Sequence, residues 1–544
     1  SVRKNHLSTR IAQPRADFAL SRTATAVQRV LLGMTLAVAG LPAYADTLNT
    51  EEKAVSTLPE TRVEGEMDLP SELPPSYAGG QVAYGSRVGL LGNKDFMETP
   101  FSTVSYTEKY IADRQAQNIT QVIAATDPAV FSNGLTGTFS ENYSIRGFAS
   151  NISDVTIGGL YGVAPYYRIS PEMYERIEVL KGPASLLYGI QDPGGVVNVV
   201  SKKPLLEQYN AVTVRGSSYG SGKNGSGGSL YNKGPLGDSG LAYRMIVDHE
   251  DEDYWRNFGV HRETLVAPSL AWYGDNTQVL LAYEHREFLS PFDRGTAINP
   301  KTNHPLDIPA TRRLDEPFNN MEGRSDLYRL EVDHDLNDDW KAHFGYSWNR
   351  ETYDASQVRV TKVNSDGTLT RSMDGTKGAL TTDRFSTISL QGKVQAAGMQ
   401  HDLVFGLDDE YRKIYRAELI RQNSKSTFSY LNPVYGNEVA GTTVSAKDSN
   451  QTDLLRSDSL FAQDSIHLTD QWILVAGARF QKYDQLAGKA IPFKASTDTN
   501  GVKWIPRAGL VYRYTDELSF YGSYTESFKP NSSIAPLDGG VVLD

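Results

Sequence analysis

The chain contains no cysteine, and its nine histidines are scattered through 544 residues without metal-ligand spacing. Without cysteine, it can form neither a disulfide framework nor a thiolate metal site. Acidic residues outnumber basic ones, 65 against 54, and the basic residues form no stripe. This balance argues against nucleic acid as a partner, because its binding needs clustered lysine and arginine. Apolar residues make up only 39% of the chain, too few for a bundle of membrane-spanning helices.

Tyrosine and glycine, in contrast, are abundant, with 30 and 47 residues respectively. A chain that is rich in both and only moderately apolar is typical of a large antiparallel sheet. The same composition is typical of an outer-membrane β-barrel, in which only alternate residues face lipid. Composition alone leaves both architectures open.

The first 45 residues are organised like an export signal. Residues 1–29 contain several lysines and arginines but one acid, Asp17. The apolar run 30–39 follows, and it leads to Ala43-Tyr44-Ala45, a small-residue pattern that is cleaved on export. The run is well short of the roughly 20 residues that a spanning helix needs. We therefore predict a secretory signal peptide over 1–45, with a short buried helix as the alternative.

Residues 46–94 are predicted to form an extended, mobile tail. They are rich in proline, glutamate, serine and glycine, and no apolar period persists along most of them. Such composition favours a chain without a packed core. Within the tail, residues 57–64 form a short β-competent stretch that could add a strand to the sheet edge of a partner. A plain linker is the alternative.

Between residues 95 and 204 the pattern changes to short strands and helices joined by glycines. Helices are expected at 107–113, 120–125 and 184–188. Strands are expected at 144–148, 154–160, 175–180 and 196–201. The strand 175–180 alternates charged and apolar residues, as a half-buried strand does.

After residue 204 the sequence alternates with period two. Between residues 340 and 349 one face carries large side chains, including Trp340, Phe344, Tyr346 and Trp348, and the other is mostly polar. A soluble sandwich would also alternate, but it would rarely place so many aromatic rings near the strand ends. Lipid-facing aromatic girdles explain both features.

Connection lengths give a second signal for a membrane barrel. Tight turns are expected at 274–276, 336–339, 468–471 and 515–517. Long polar loops are expected at 287–324, 351–381, 415–454 and 485–502. Strict alternation of short and long connections is typical of outer-membrane barrels. The pattern predicts about thirteen strands between 209 and 526, and since single-chain bacterial barrels have even counts, we expect the barrel to be incomplete at Asp544.

Several motifs follow one another in fixed order between residues 145 and 204. They are Ile145-Arg146-Gly147-Phe148, Glu175 to Pro183, Leu187-Tyr188-Gly189, Pro193-Gly194-Gly195 and Ser201-Lys202-Lys203-Pro204. In order and spacing they resemble the plug domain of TonB-dependent siderophore receptors. Three later stretches, 401–403, 506–509 and 524–531, look like barrel motifs of the same family.

This resemblance implies a transmembrane antiparallel β-barrel with an N-terminal α+β plug domain inside its lumen. Family barrels have 22 strands, of which about thirteen would be present here. The implied organisation is a signal peptide over 1–45, a periplasmic tail over 46–94, the plug over 95–204 and a partial barrel over 205–544.

The resemblance also marks ten plug residues as structural: Arg146, Gly147, Glu175, Arg176, Glu178, Lys181, Gly182, Pro183, Gly194 and Gly195. The charged residues among them invite a catalytic interpretation, because burial can separate the pKa values of two carboxylates. Because basic residues stand among the acidic ones, ion pairs between charged side chains are the favoured interpretation. We therefore expect these groups to bridge to the barrel wall, and we expect no catalytic residue.

In function, the resemblance implies an outer-membrane receptor that imports a ferric siderophore into the periplasm. Its energy would come from TonB, acting with ExbB and ExbD. The implied TonB box comprises Leu58, Pro59, Glu60, Thr61, Arg62, Val63 and Glu64. Lipid and lipopolysaccharide of the outer membrane would surround the barrel.

The implied cargo site lies between the plug apex and the extracellular loops. Its candidates are Asn133, Tyr166, Tyr167 and Arg168 from the plug, and Tyr254, Trp255, Phe292, Arg294 and Tyr353 from the barrel. Because the siderophore's own oxygens would surround the iron, we expect no protein metal ligand and no resident cofactor. For each barrel residue, ordinary loop or girdle packing is the alternative.

Other cargo and other functions remain as alternatives: haem, cobalamin, a passive porin or an outer-membrane enzyme. A porin would lack the plug motifs, and the loops contain no convergent Ser/His/Asp set. The predicted plug has no histidine, which favours a siderophore over haem. The sequence leaves hydroxamate and catecholate siderophores open, with hydroxamate preferred.

Overall fold

The computed structural model describes residues 74–87, 93–133, 141–151, 154–163, 173–532 and 534. The predicted signal peptide and most of the predicted tail lie outside these residues. Within them, every helix is too short or too polar to cross a bilayer.

The plug is built from short elements that surround a four-stranded sheet of order β3-β8-β9-β7. The elements are β1 (Gly85–Arg87), β2 (Asn93–Asp95), β3 (Ser102–Thr107), α1 (Glu108–Asp113), α2 (Ile119–Ile123), β4 (Val130–Ser132), β5 (Asn142–Ile145), β6 (Phe148–Asn151), β7 (Thr156–Ile157), β8 (Tyr174–Lys181), α3 (Ser185–Tyr188) and β9 (Gly195–Ser201). Thr107 and Asn118 begin the first two helices, and their side-chain oxygens accept hydrogen bonds from backbone N–H groups of the first turn, as N-caps do.

The three predicted plug helices are present, but two predicted strands differ. The stretch 144–148 is not one strand, because Arg146 and Gly147 have φ values of 53° and 87°. These conformations fit a two-residue hairpin turn, and β5 pairs with β6 across it. The stretch 154–160 contains only the two-residue strand β7.

The strand at 175–180 is also more deeply buried than its alternation suggested. Arg176 is 6% exposed and Glu178 only 3% exposed, so β8 is covered on both faces. Ile177 and Val179 pack in one core with α2 and with Ile246 and Leu327 of the barrel wall. The expectation of a half-buried strand was wrong, because helices and wall both pack against this sheet.

After residue 204 the described chain forms thirteen long strands, paired antiparallel in sequence order. The strands, with three short ones between them, are β10 (Tyr209–Gly220), β11 (Lys223–Pro235), β12 (Leu241–Asp253), β13 (Val260–Tyr273), β14 (Thr277–Pro291), β15 (Ile298–Asn299), β16 (His304–Pro305), β17 (Asn320–Asp335), β18 (Trp340–Val363), β19 (Thr368–Ala396), β20 (Met399–Asn423), β21 (Phe428–Ser429), β22 (Gln451–His467), β23 (Trp472–Lys489), β24 (Lys494–Thr515) and β25 (Leu518–Thr525). Strands β15 and β16 form a separate loop hairpin, and β21 pairs with β19. The count agrees with the prediction.

The four predicted tight turns are present at one end of this sheet, but two of the predicted long loops are wrong. Residues 351–381 and 485–502 are extended hairpins that close at 364–367 and 490–493. The backbone pairing of these strands continues where apolar and polar residues no longer alternate in the sequence. The hydrophobic period therefore did not predict these parts of the strands. The long connections are 292–319 and 424–450.

Side chains of the sheet alternate between the plug and the outside, as expected. Tyr283, Tyr328 and Trp348 are cross-strand neighbours on the outer face, with ring centroids 4.6 and 5.3 Å apart. The adjacent Arg329 and Ser347 point inward and are 2% and 1% exposed. An aromatic row outside and polar groups inside are typical of a membrane barrel.

Besides the apolar core that it shares with the wall, the plug meets the wall through polar groups. The contacts include Arg329 Nη2 to Ser201 Oγ at 2.7 Å, Tyr273 OH to Pro204 O at 2.6 Å, Arg479 Nε to Leu186 O at 2.8 Å, and the ion pairs Lys94–Asp402 and Arg513–Glu98, both at 3.0 Å. The plug side of these contacts is largely backbone carbonyl, hydroxyl or isolated charge.

Three charged residues of the plug motif, expected to bridge to this wall, pair within residues 74–198 instead. Arg176 Nη2 donates to Pro74 O at 2.8 Å, and Lys181 pairs with Asp127 at 2.8 Å. Glu178 accepts from Arg87 N at 2.7 Å and from Asn198 Nδ2 at 2.9 Å. The wall-bridging prediction was therefore wrong for Arg176, Glu178 and Lys181. Since β8 runs inside the sheet of the plug, its polar side chains reach plug neighbours first.

Residues 74–87, which the sequence assigned to the tail, follow the edge of the plug sheet. Ala83 N donates to Ser105 O at 3.1 Å, Thr107 N donates to Gln81 O at 3.2 Å, and Val82 bridges to Tyr106. This described part of the tail is thus hydrogen-bonded to β3.

Gly195 opens β9 at a point where the backbones of β8 and β9 meet closely. A Cβ there would lie 2.2 Å from Leu180 O, and φ is +147°. We expect Gly195→Ala to destabilise β8 and β9 by more than the roughly 1–2 kcal/mol of strain that a positive φ alone gives. The loss of stability is measured as faster hydrogen exchange of these two strands. Gly147→Ala is the matched control, since its φ is +87° and no atom lies within 4 Å of its added Cβ. Equal exchange rates in the two variants would show that the added Cβ at residue 195 does not clash with the backbone of β8.

Candidate functional site

The outer ends of β14, β17, β18 and β19 enclose an apolar cluster. It consists of Phe288, Phe292, Met321, Tyr353, Ala355 and Ala379. Two of the predicted contact residues, Phe292 and Tyr353, are thereby brought together, and they are 6% and 7% exposed. We call this buried pair of rings the floor of the candidate site.

Cationic groups border this floor. The Arg294 guanidinium lies 5.4 Å from the Phe292 ring centroid, and its Nε donates to Gln357 Oε1 at 2.5 Å. Arg416 Nε donates to the Tyr353 hydroxyl at 2.9 Å. Arg294 is exposed, so a ligand in the surrounding solvent can approach its positive charge with an anionic oxygen. The arrangement suits a ligand with a flat or apolar body and negatively charged oxygens.

Trp255 lies in the connection 254–259, which is linked to the segment after Phe292 by the hydrogen bond from Tyr254 to Asp293. Its ring meets Tyr254 edge-on at 5.9 Å between centroids, and the Arg256 guanidinium lies 5.7 Å from it. Tyr254 is only 2% exposed, and its hydroxyl donates to Asp293 Oδ2 at 3.1 Å. Burial and the Asp293 carboxylate raise the pKa of Tyr254, which keeps this hydroxyl protonated as a donor. Tyr254 therefore holds the loop, and the expectation that it faces cargo was wrong.

Sequence reasoning missed a set of buried charges in these loops. Arg256 pairs with Asp293 at 2.7 Å, and Arg313 pairs with Asp315 at 2.5 Å. Farther along the loop 292–319, Glu316 pairs with Arg371 of β19 at 2.7 Å and accepts from Gly436 N at 2.7 Å. No local signal distinguishes these residues, because charged residues in a long loop normally face water.

The predicted contact residues of the plug are less well connected to this cluster. Asn133 follows β4, is exposed, and its Nδ2 donates to Ser144 Oγ at 2.6 Å, a contact within the plug. Tyr166, Tyr167 and Arg168 lie outside the described residues, as does the predicted TonB box, and these assignments stay predictions. In the described part of the chain, no three His, Asp or Glu side chains are grouped to hold a metal ion.

A long antiparallel sheet contacts an α+β plug through its inner face and carries an aromatic and cationic cluster among its outer loops. This is the architecture of a plugged outer-membrane receptor. The family model for the β-barrel of TonB-dependent receptor-like proteins matches residues 264–540, and that for the TonB-dependent receptor plug domain matches residues 95–196. The chain belongs to the TonB-dependent receptor family. This family consists of outer-membrane transport receptors, so the chain is not an enzyme.

Individual relatives include receptors for metal-pseudopaline and for ferrichrome. The chain is 29% identical over 369 residues to the metal-pseudopaline receptor of Pseudomonas aeruginosa, covering 66% of this chain and 51% of the receptor. It is 26% identical over 480 residues to the ferrichrome receptor of Yersinia enterocolitica, covering 85% and 61%. The crystal structure of the ferric preacinetobactin receptor of Acinetobacter baumannii matches with a TM-score of 0.74 at 28% identity, covering 83% and 67%. The chain thus spans about half to three fifths of the curated relatives' length.

Glu178 is a buried acid within the plug whose ionisation is linked to plug stability. Burial raises its pKa to about 7, against the opposing effects of the Arg87 N–H, the Asn198 amide and the Arg176 charge. Because the folded pKa lies above the ordinary value of 4.5, the folded plug holds this proton more tightly than the unfolded chain does. Its stability should therefore fall as pH rises from about 4.5 to about 7 and then level off.

We expect Glu178→Gln to flatten this pH dependence, because the amide resembles the protonated acid. Hydrogen exchange of β8 and β9, measured from pH 4.5 to 7.5 and corrected for intrinsic rates, gives the slope. Glu207→Gln, at an exposed acid, is the control and should keep the wild-type slope. An unchanged slope in Glu178→Gln would show that this proton does not affect plug stability.

Proposed function

We propose that the protein imports a ferric siderophore across the outer membrane, with energy from TonB acting together with ExbB and ExbD. The observation that carries this proposal is the aromatic and cationic site among the outer loops of a plugged barrel. Membership of the TonB-dependent family supports the energy coupling. The names of the relatives, which include receptors for ferrichrome and ferric preacinetobactin, support the cargo class.

The chemistry of the site fits a ligand that brings its own metal coordination. Ferric siderophores surround iron with oxygens, many of them anionic, so recognition needs rings and cations rather than protein metal ligands. Trp255 and Arg294 are the groups proposed to touch cargo, with Phe292 and Tyr353 as the floor beneath it. Asn133, Tyr166, Tyr167 and Arg168 of the plug would complete the site from below.

Transport requires the plug to move, and the predicted TonB box, Leu58–Glu64, is where the pull would be applied. Strand addition by TonB to this segment would use backbone hydrogen bonds, which any extended sequence can supply. From there, the pull would first reach residues 74–87, which are bound to the edge strand β3. Surrounding lipid and lipopolysaccharide would hold the barrel itself in place.

A second cargo class is a metallophore complex of a metal other than iron. It is favoured by the similarity to the metal-pseudopaline receptor. The exposed Arg294 would equally suit the carboxylates of such a ligand.

The full-length gene should restore growth of an iron-starved, receptor-deficient strain on at least one ferric siderophore in a panel of hydroxamates, catecholates and carboxylates. Deleting Leu58–Glu64 should abolish uptake while leaving binding unchanged, because the box lies on the chain before the plug. Scrambling an equal length of tail at 47–53 is the control. Growth on none of the complexes would refute the cargo class, and full uptake by the deletion would refute the position of the box.

Arg294→Ala should weaken binding of the growth-supporting complex about tenfold, equivalent to about 1.4 kcal/mol, since it removes an exposed cation over the Phe292 ring. Equilibrium binding to the purified full-length receptor measures this. Arg324→Ala, on the exposed outer face of β17, is the matched control. Equal affinities of the two variants would exclude Arg294 from the site.

A further inference from the structure

A single buried carboxylate, that of Asp293, lies between the two loop segments that carry the proposed contact residues. Its Oδ1 accepts from Gly295 N at 2.7 Å and from Arg256 Nη1 at 3.0 Å. Its Oδ2 accepts from Arg256 Nη1 at 2.7 Å and from the Tyr254 hydroxyl at 3.1 Å. The Asp293 side chain is only 2% exposed. Both oxygens are thus committed to holding protein groups.

The two arginines near this carboxylate extend the network to a third segment of the loops. Arg256 Nε donates to Ala310 O at 3.0 Å. Arg313 lies 3.9 Å from Asp293 through Nε, donates from Nη1 to Phe258 O at 3.0 Å, and lies 4.5 Å from the Phe258 ring centroid. Segments 254–258, 292–295 and 310–313 therefore meet around Asp293.

A contribution to stability does not by itself explain why these charged groups are buried. Buried ion pairs often contribute no more than an apolar cluster of equal volume, whereas removal of one partner leaves an uncompensated charge. The arrangement instead fixes the positions of the loop segments relative to one another. Asp293 is the chain neighbour of both Phe292 and Arg294, and its side chain fixes Tyr254, the neighbour of Trp255.

We propose that Asp293 is the positioning residue of the ligand site: its carboxylate fixes the 254–258 segment against Phe292 and Arg294, so that Trp255 and Arg294 present one rigid surface. This inference rests on the proposed function, because it concerns the same site. Asp293 itself does not touch the ligand. Binding to loops that are already ordered avoids the entropic cost of immobilising these side chains on binding.

The first test does not need the cargo. In the full-length receptor, Asp293→Asn should increase hydrogen exchange of residues 254–259 and 292–295 at least tenfold and leave the barrel strands unchanged. Glu316→Gln is the matched control, because Glu316 is equally buried in the same loop but pairs with Arg371 and Gly436. It should increase exchange around residue 436 and not at 254–259. Wild-type exchange in Asp293→Asn, or an equal rise at 254–259 in both variants, would overturn the proposal.

The second test separates positioning from general weakening of the loops. Arg294→Ala should cost about tenfold in affinity for the growth-supporting ferric complex in the wild-type background, but less than threefold in Asp293→Asn, where Arg294 is no longer held. In the Glu316→Gln background the tenfold loss should remain. Equal losses in all three backgrounds would mean that Asp293 is merely structural. If the wild type binds no complex of the panel, the proposed function fails, and the exchange test still decides the role of Asp293.

Discussion

A bilayer offers no hydrogen bonds, so every backbone N–H and C=O that enters it needs a partner from the protein. In this chain the ladder that runs from β10 to β25 meets that demand for every strand between them, and among the described residues only the outer edges of β10 and β25 have no partner strand. Once the backbone is satisfied in this way, side chains are free to differ completely between the two faces. The outer face can carry rings such as Tyr328 and Trp348, while the inner face carries Arg329 and Ser347 against the plug.

The same wall also positions everything that is specific to this receptor. The hairpins of β18–β19 and β23–β24 extend well past their aromatic rows, and the loop 292–319 is fastened to the first of them through Glu316 and Arg371. Rigidity at the outer end of the barrel therefore comes from two sources. One is the continued ladder, and the other is a set of buried ion pairs that water would normally separate.

The sequence predicted much of the architecture, because it follows from repeated local rules. Tight turns at 274–276 and 336–339 and the alternation along β18 all reflect period two and turn chemistry. The long hairpin ends at 351–381 and 485–502 were missed, since polar residues occupy both alternating positions there and the sequence has no hydrophobic period. Family motifs located the plug, but the partners of Arg176 and Glu178 depend on which neighbours the plug sheet brings within reach.

The candidate ligand site was only partly predictable, for a related reason. Aromatic residues at the bases of loops stand out in a sequence, and Phe292, Arg294 and Tyr353 do lie together. Asp293 does not stand out, because a carboxylate in a polar loop has the same sequence appearance whether it is solvated or fully enclosed. Tyr254 illustrates the converse error, since an aromatic residue in a loop can be part of its internal framework.

The polar boundary between plug and wall has a mechanical consequence. When two apolar surfaces are separated, exposing them to water costs free energy, and this cost favours their return to contact. Here the separated groups would be hydroxyls, carbonyls and charges such as those of Ser201, Leu186 and Lys94, and incoming water can replace each lost bond. These polar contacts therefore fix the resting position of the plug through many small attractions, and the hydrophobic cost of moving the plug is confined to the apolar core that it shares with the wall.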